Sequence, residues 1–336
     1  MSTPAIHILD TTLRDGSYAI DFQFTAQDTA LIAAALEASG IEWVEVGHGL
    51  GLGTARAGKE TALVSDEAYL CATAAALSSA KFGVFCIPGI AALEDIDLAA
   101  ECGAHFIRIG TDVDAIQAGL PFIQYAKSKG LIVFSNLMKS YLVTPALFAQ
   151  QAQLIAEAGA DCVYLVDSAG GMFPDEVATY LDVARQACSI PFGFHGHNNL
   201  SMAVANSLQA VESGAHFVDA SLQGLGRSAG NAVTEILASV LQQKGHCLNL
   251  NMDRLLEAGQ GLIRHRLDQP GINAVDITAG RAKIHSAQLP LIKCIAQVHD
   301  VSMHDLILRL GETAQSQPSE DIIEKIAREL AQGNKP

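Results

Sequence analysis

Two histidines one residue apart, His195 and His197 in Phe-His-Gly-His-Asn, and an arginine beside an aspartate, Arg14 and Asp15 in Thr-Leu-Arg-Asp-Gly, are the residue types and spacings best suited to chemistry. Side chains at i and i+2 of a strand point the same way, so two imidazoles at that spacing can reach one ion. With Asp15 the set becomes two nitrogens and one carboxylate with open positions, which suits a six-coordinate divalent ion such as Mn²⁺ or Mg²⁺ that keeps water or substrate bound. The same ligands would serve a mononuclear zinc hydrolase, and a histidine pair at a strand end can also be purely structural.

Glu45 lies in the otherwise apolar run Trp-Val-Glu-Val-Gly. An unpaired buried carboxylate is prohibitively costly, so it needs a partner, and Arg14 is the natural one. Glu45 would then fix the guanidinium and leave one of its faces to bind an anion bidentately. His48 and the glycines after it either line the entry or form a flexible loop. The hydroxyl of Ser168 and the N–H groups that follow it, in Val-Asp-Ser-Ala-Gly-Gly, could hold a substrate carboxylate. The loop Gly224-Leu-Gly-Arg-Ser-Ala-Gly-Asn231 resembles the phosphate sites that barrels build at a helix N-terminus, although any strand-to-helix connection uses glycine turns.

Something must bring these distant residues together. Up to about residue 245, short β-branched or aromatic runs alternate with Ala-rich stretches of helical period, the pattern of parallel strands joined by right-handed helical crossovers. Eight strands are expected, at Ala5–Asp10, Glu42–Gly47, Lys81–Ile87, Phe106–Gly110, Ile132–Leu137, Cys162–Asp167, Pro191–His195 and Phe217–Leu222. Helices are expected between them, including Ala26–Ser39, Ala91–Cys102, Pro145–Ala158, Pro174–Ala187, Ser201–Ser213 and Ala232–Gln243. Eight units with no G-x-G-x-x-G after the first strand favour a closed α/β TIM barrel over a doubly wound open sheet. We therefore assign residues 1–246 to a catalytic barrel, 247–332 to a helical C-terminal region and 333–336 to a disordered tail. The C-terminal helices are expected at Met252–Leu267, Ile284–Val298, Met303–Gly311 and Ser319–Gln332.

Composition narrows the function classes. The chain of 336 residues is 49% hydrophobic and has a formal charge of −15 with no Lys/Arg-rich tract, so nucleic acid is not an expected partner. No long uncharged apolar run suggests a membrane span, and Met-Ser-Thr-Pro-Ala lacks the flank and core of a signal peptide, so a cytoplasmic location is expected. Seven cysteines sit singly, without a C-x-x-C pair, and are read as reduced core thiols.

Taken together, Asp-Thr-Thr-Leu-Arg14-Asp15-Gly16, Val-Glu45-Val-Gly, His195-Gly-His197-Asn and Gly224-Leu-Gly226 through Gly230-Asn231 resemble the signature set of the metal-dependent TIM-barrel lyases and acyl-transferring synthases, the superfamily of hydroxymethylglutaryl-CoA lyase. Arg-Asp-Gly-Ser, Val-Asp-Ser-Ala-Gly-Gly-Met and His-Asn-Asn-Leu-Ser-Met-Ala-Val-Ala-Asn-Ser are most similar to its 4-hydroxy-2-oxovalerate aldolases. The resemblance implies a divalent metal, Mn²⁺ or Mg²⁺, on Asp15, His195 and His197. It also implies Arg14 at the developing enolate, Ser168 at the substrate carboxylate, and cleavage or formation of 4-hydroxy-2-oxo acids into pyruvate and an aldehyde. A homo-oligomer is expected.

The chain departs from those aldolases at Tyr18, where they carry the histidine that serves as base, and no counterpart of their C-terminal tyrosine is evident near Gly280-Arg281-Ala282-Lys283. Tyr18 is the candidate base and His48 the next. Two alternatives stand beside the aldolase: a Claisen-type synthase condensing an acyl-CoA with a 2-oxo acid, and a non-catalytic relative whose helical region binds a partner such as an aldehyde dehydrogenase.

Overall fold

β-Branched and aromatic residues suit a pleated surface packed on both faces, and the eight runs rich in them are the strands. The computed structural model describes residues 6–59, 61–246, 248–267, 274–313 and 318–333. The strands are β1 (His7–Leu13), β2 (Trp43–Val46), β3 (Lys81–Cys86), β4 (Phe106–Asp112), β5 (Ile132–Met138), β6 (Cys162–Asp167), β7 (Phe192–Gly196) and β8 (Phe217–Ala220). They pair in chain order and in parallel, and β8 pairs with β1 to close a barrel. The helices between and after them are α1 (Ala26–Ala38), α2 (Asp66–Ala76), α3 (Leu93–Glu101), α4 (Leu120–Ser128), α5 (Pro145–Glu157), α6 (Pro174–Ala187), α7 (Ala203–Glu212) and α8 (Thr234–Gln243). The chain is a TIM barrel, as its alternation of strands and helices indicates.

Only β6 keeps its expected bounds; the other strands shift by one to three residues, and the shifts at β1 and β8 have physical reasons. β1 continues past Asp10 to Leu13, because the Thr11 hydroxyl donates to Ala220 O at 3.2 Å and the Thr12 hydroxyl accepts from Leu222 N at 2.8 Å, tying the end of the strand to its neighbour. Arg14 and Asp15 therefore sit directly at the strand's carboxyl end. β8 stops at Ala220, where the chain turns into a 3₁₀ segment, Leu222–Gly224.

The C-terminal region differs more. The helix expected over Met252–Leu267 ends as α9 (Met252–Ala258) and continues as a π turn, Gly259–Ile263, then a 3₁₀ turn, Arg264–Arg266. Gly259 lies against the Glu235 carboxylate, so closely that a Cβ there would fall 1.8 Å from Oε1. A further helix, α10 (Ala274–Ala282), was not anticipated, and α11 (Leu289–Val298) begins five residues later than expected, which leaves His285 in a connection. α12 (Met303–Gly311) and α13 (Glu320–Gly333) follow, and residues 334–336 of the expected tail lie outside the described residues. The last four helices share their own apolar core, including Ile292, Leu306, Leu310 and Ile323. α10 docks on the barrel through close backbone approach: a Cβ on Gly171 would lie 2.4 Å from Gly280 O.

Inside the barrel, alternate strands stack side chains in layers. Trp43, Phe106, Tyr164 and Phe217, near the starts of the even strands, pack with Phe134 into an aromatic floor, with the Phe134 ring 4.9 Å from that of Phe217 and 5.4 Å from that of Phe106. Two residues further along the same strands come Glu45, Arg108, Val166 and Asp219, so a layer that barrels commonly fill with aliphatic side chains carries three charges. The six described cysteines are free thiols, and Cys247 lies outside the described residues. Among the described residues no helix is long and apolar enough to cross a membrane.

The floor makes a stability prediction. Phe134→Ala opens a cavity in a layer that cannot collapse around it, and urea denaturation is expected to show a loss of about 3–5 kcal/mol.

Candidate active site

The candidate site is built from the charged layer upward. Arg108 is fully buried; it donates from Nη1 to Glu45 Oε2 at 3.0 Å, from Nη2 to Asp219 Oδ2 at 2.6 Å and from Nε to Asn136 Oδ1 at 3.2 Å, and its Cζ lies 4.4 Å over the Tyr164 ring. Burial opposes its charge, but Asp219 and Glu45 outweigh it and raise the pKa above the ordinary arginine value. Each carboxylate then holds a second group. Glu45 Oε2 accepts from Arg14 Nε at 2.7 Å, and Asp219 Oδ2 is 2.8 Å from His195 Nδ1.

Asp15, His195 and His197 meet above this layer. All three are buried, and one ligand atom from each lies within 4.8 Å of the others. Asp15 Oδ1 accepts from Arg14 Nη1 at 2.7 Å, and its Oδ2 accepts from Asn231 Nδ2 at 2.8 Å. Burial alone would raise the Asp15 carboxyl, but Arg14, followed by His197 and His195, holds it well below the usual carboxylate range. His197 Nδ1 faces Gly230 O at 3.3 Å; a carbonyl only accepts, so Nδ1 carries the proton. Asp219 imposes the same tautomer on His195, which leaves both Nε2 lone pairs to point at an ion. Burial, against the pull of Asp15, lowers His197 to about 4, so it is neutral at pH 7. An anionic carboxylate and two imidazoles with oriented Nε2 lone pairs form a donor set that fits a divalent metal.

A cavity of about 280 Å³ opens over these residues at the carboxyl ends of the strands, the functional end of this fold. Arg14, Asp15, His195 and His197 line it, as do Tyr18 and Ser168. The Ser168 hydroxyl accepts from Lys139 N at 2.9 Å, so its own proton remains to be donated. Glu45 and His48 lie elsewhere. Glu45 is buried beneath the site between the two arginines. His48 is buried against Phe22, with ring centroids 4.0 Å apart, and its Nδ1 accepts from Leu50 N at 3.0 Å; it is not among the residues that line the cavity. The expected entry role of His48 is thus not what its position provides.

Several lining or supporting residues were not singled out from the sequence. Arg108 and Asp219 carry the signal that exposed Glu45, a charge inside an apolar strand: Phe-Ile-Arg-Ile-Gly and Phe-Val-Asp-Ala. Lys139, in left-handed backbone at φ 58°, reaches Asp112 at 2.6 Å at the cavity wall. His285 comes from the connection before α11 and lines the cavity; burial, then Arg227, Lys139 and His197, pushes its imidazole well below the ordinary histidine value, so it is neutral. It stands two residues beyond Gly280-Arg281-Ala282-Lys283.

A family model described as HMGL-like matches residues 5–262. The chain belongs to the HMGL-like family. A 4-hydroxy-2-oxovalerate aldolase of Moorella thermoacetica is 37% identical to this HMGL-like chain over 333 residues, covering 99% of it and 98% of the relative. An oxaloacetate decarboxylase of Mycobacterium tuberculosis is 37% identical over 311 residues, 92% of each chain. Among solved structures, the N-terminal domain of a protein from Bacteroides vulgatus superposes with a TM-score of 0.71 at 28% identity, covering 87% of this chain and 97% of that one. The carboxyl transferase domain of Rhizobium etli pyruvate carboxylase shares the fold, with a TM-score of 0.80 at 15% identity over 98% of this chain and 62% of that one.

The charged layer can be tested directly. Arg108→Met leaves buried Asp219 with only the His195 imidazole and buried Glu45 with only Arg14. Chemical denaturation is expected to show a loss of about 3–5 kcal/mol, and calorimetric Mn²⁺ affinity to fall about 10–100-fold as His195 loses its orientation.

Proposed function

We propose that this HMGL-like protein is a divalent-metal-dependent aldolase that cleaves or forms 4-hydroxy-2-oxo acids, with pyruvate enolate as the shared intermediate. It is a carbon–carbon lyase. The observation that carries the reading is the convergence of Asp15, His195 and His197, with the fixed Arg14 guanidinium beside them, at the base of one cavity. The relatives named 4-hydroxy-2-oxovalerate aldolase, matched along nearly their whole length, support it.

Asp15, His195 and His197 would hold the metal, Mn²⁺ or Mg²⁺, which supplies Lewis acidity at the keto oxygen of a bound 2-oxo acid. Arg14 is held by Glu45 through Nε and by Asp15 through Nη1, so it meets the charge that develops on that oxygen without reorganising. Ser168 donates its free proton to the substrate carboxylate. Tyr18, as phenolate, takes the proton of the C4 hydroxyl. The C4–O bond becomes a carbonyl, the C3–C4 bond breaks, and its electron pair forms the enolate, which is protonated at C3 to give pyruvate. Glu45 acts through Arg14 as a positioning residue.

A second reading is favoured by Tyr18 itself. A phenol has a pKa of about 10 and is a weak base near neutrality, whereas loss of CO₂ from a 2-oxo diacid yields the same enolate with no base at C4. The relative named oxaloacetate decarboxylase is consistent with that chemistry.

Purified protein with Mn²⁺ is expected to release pyruvate from 4-hydroxy-2-oxo acids, followed by coupled lactate dehydrogenase. A chelator should abolish the release, and added Mn²⁺ or Mg²⁺ should restore it. Liberation of CoA thiol from acetyl-CoA instead would establish a synthase, and CO₂ from oxaloacetate without aldehyde release a decarboxylase. Tyr18→Phe is expected to lower kcat by about 10²–10⁴, and Tyr18→His to sustain turnover. Normal turnover by Tyr18→Phe would show that the phenol is not the base.

A further inference from the structure

The arginines and lysine at this site differ in how they are neutralised. Arg14 is paired with Glu45 and Asp15, Arg108 with Glu45 and Asp219, and Lys139 with Asp112. Arg227 also lines the cavity, yet among the described residues no carboxylate is in ion-pair contact with its guanidinium. Its backbone N–H points at Asp15 Oδ2 from 3.4 Å, which anchors the loop beside the candidate metal ligand, and its Cζ lies 5.0 Å over the Tyr18 ring. The side chain is half-buried, and stacking on Tyr18 limits the directions its planar fork can take.

We propose that Arg227 recognises a second carboxylate on the substrate, so that the molecule cleaved is a 4-hydroxy-2-oxo dicarboxylate whose aldehyde fragment is itself an oxo acid. This rests on the aldolase reading above. With Tyr18 at the C4 hydroxyl, whatever else C4 carries lies beside the Tyr18 ring, against the guanidinium stacked on it. An alkyl group there would cover an unpaired cation and strip its water, a cost without return. A carboxylate matches the fork bidentately. Lys139 is unsuited to this role because Asp112 already holds it at 2.6 Å. His285 adds a donor on the same wall: its Nδ1 accepts from Ala287 N at 3.2 Å, so in the neutral ring Nε2 carries the proton. The bonds made and broken are those of the parent reaction, and the C4 carboxylate leaves unchanged on the aldehyde as glyoxylate.

The test compares pyruvate release, with Mn²⁺ present, from 4-hydroxy-2-oxoglutarate and from 4-hydroxy-2-oxovalerate, which differ at C4 by a carboxylate against a methyl. The dicarboxylate is expected to have the higher kcat/KM by at least about tenfold, because one charge-assisted bidentate pair discriminates by that much or more. Arg227→Gln should shrink the ratio by about tenfold, chiefly through KM for the dicarboxylate, and Arg227→Lys should restore only part of it. Equal kcat/KM values, or a preference for the methyl compound, in the unmutated protein overturn the carboxylate subsite while leaving the aldolase standing. Pyruvate from neither compound overturns both.

Discussion

The guanidinium of Arg108 is the constraint on which the rest of this site depends. Taking it out of water costs several kcal/mol, and so does each carboxylate beside it. The geometry offsets that cost with donors to Glu45, Asp219 and Asn136 and with the Tyr164 face beneath. Glu45 Oε2 and Asp219 Oδ2 each accept from Arg108 and each contact one outer group as well. Glu45 holds Arg14, which holds Asp15, and Asp219 holds His195. A continuous path of ion pairs and hydrogen bonds thus runs through the barrel interior from Asp15 to His195. The aromatic floor below excludes water, which strengthens every contact in the path.

Much of this was legible in the sequence, for reasons that differ by residue. The alternation of strand and helix is a period, and a period survives the loss of every tertiary detail, so the barrel could be read directly. The pairing of Glu45 with Arg14 followed from the cost of burying a lone carboxylate. The same rule would have found Arg108 and Asp219. What it could not supply is that one arginine serves two carboxylates from different strands, because that depends on β2, β4 and β8 lying at the same height. Boundaries failed where side chains made non-local bonds, as at Thr11 and Thr12, or where glycine allowed close packing, as at Gly259 and Gly280. The position of His48 stayed open in the sequence because a histidine after a strand looks alike whether it faces the cavity or stacks on Phe22.

The cavity mouth has a different character from its base. The base is built by strand ends in register. The mouth is built by Tyr18 from the turn after β1, by Arg227 from the loop after β8 and by His285 from the connection before α11. The last of these depends on α10 docking at Gly171 and on α11 starting late. The helical C-terminal region therefore shapes the cavity wall, and the groups that would choose among aldehydes lie on elements the barrel itself does not dictate. Chemistry at the strand ends with selectivity on the surrounding loops is how this fold supports different substrates.

The central claim is that the site generates pyruvate enolate with a divalent metal held by Asp15, His195 and His197. Exchange of the pyruvate methyl protons in D₂O, followed by NMR, reads that step without any aldehyde. Rapid exchange is predicted with protein and Mg²⁺, background exchange with protein and chelator, and exchange slowed by about 10²-fold or more in Arg14→Lys. Exchange that is indifferent to the metal, or that persists unchanged in Asp15→Asn, would contradict the account.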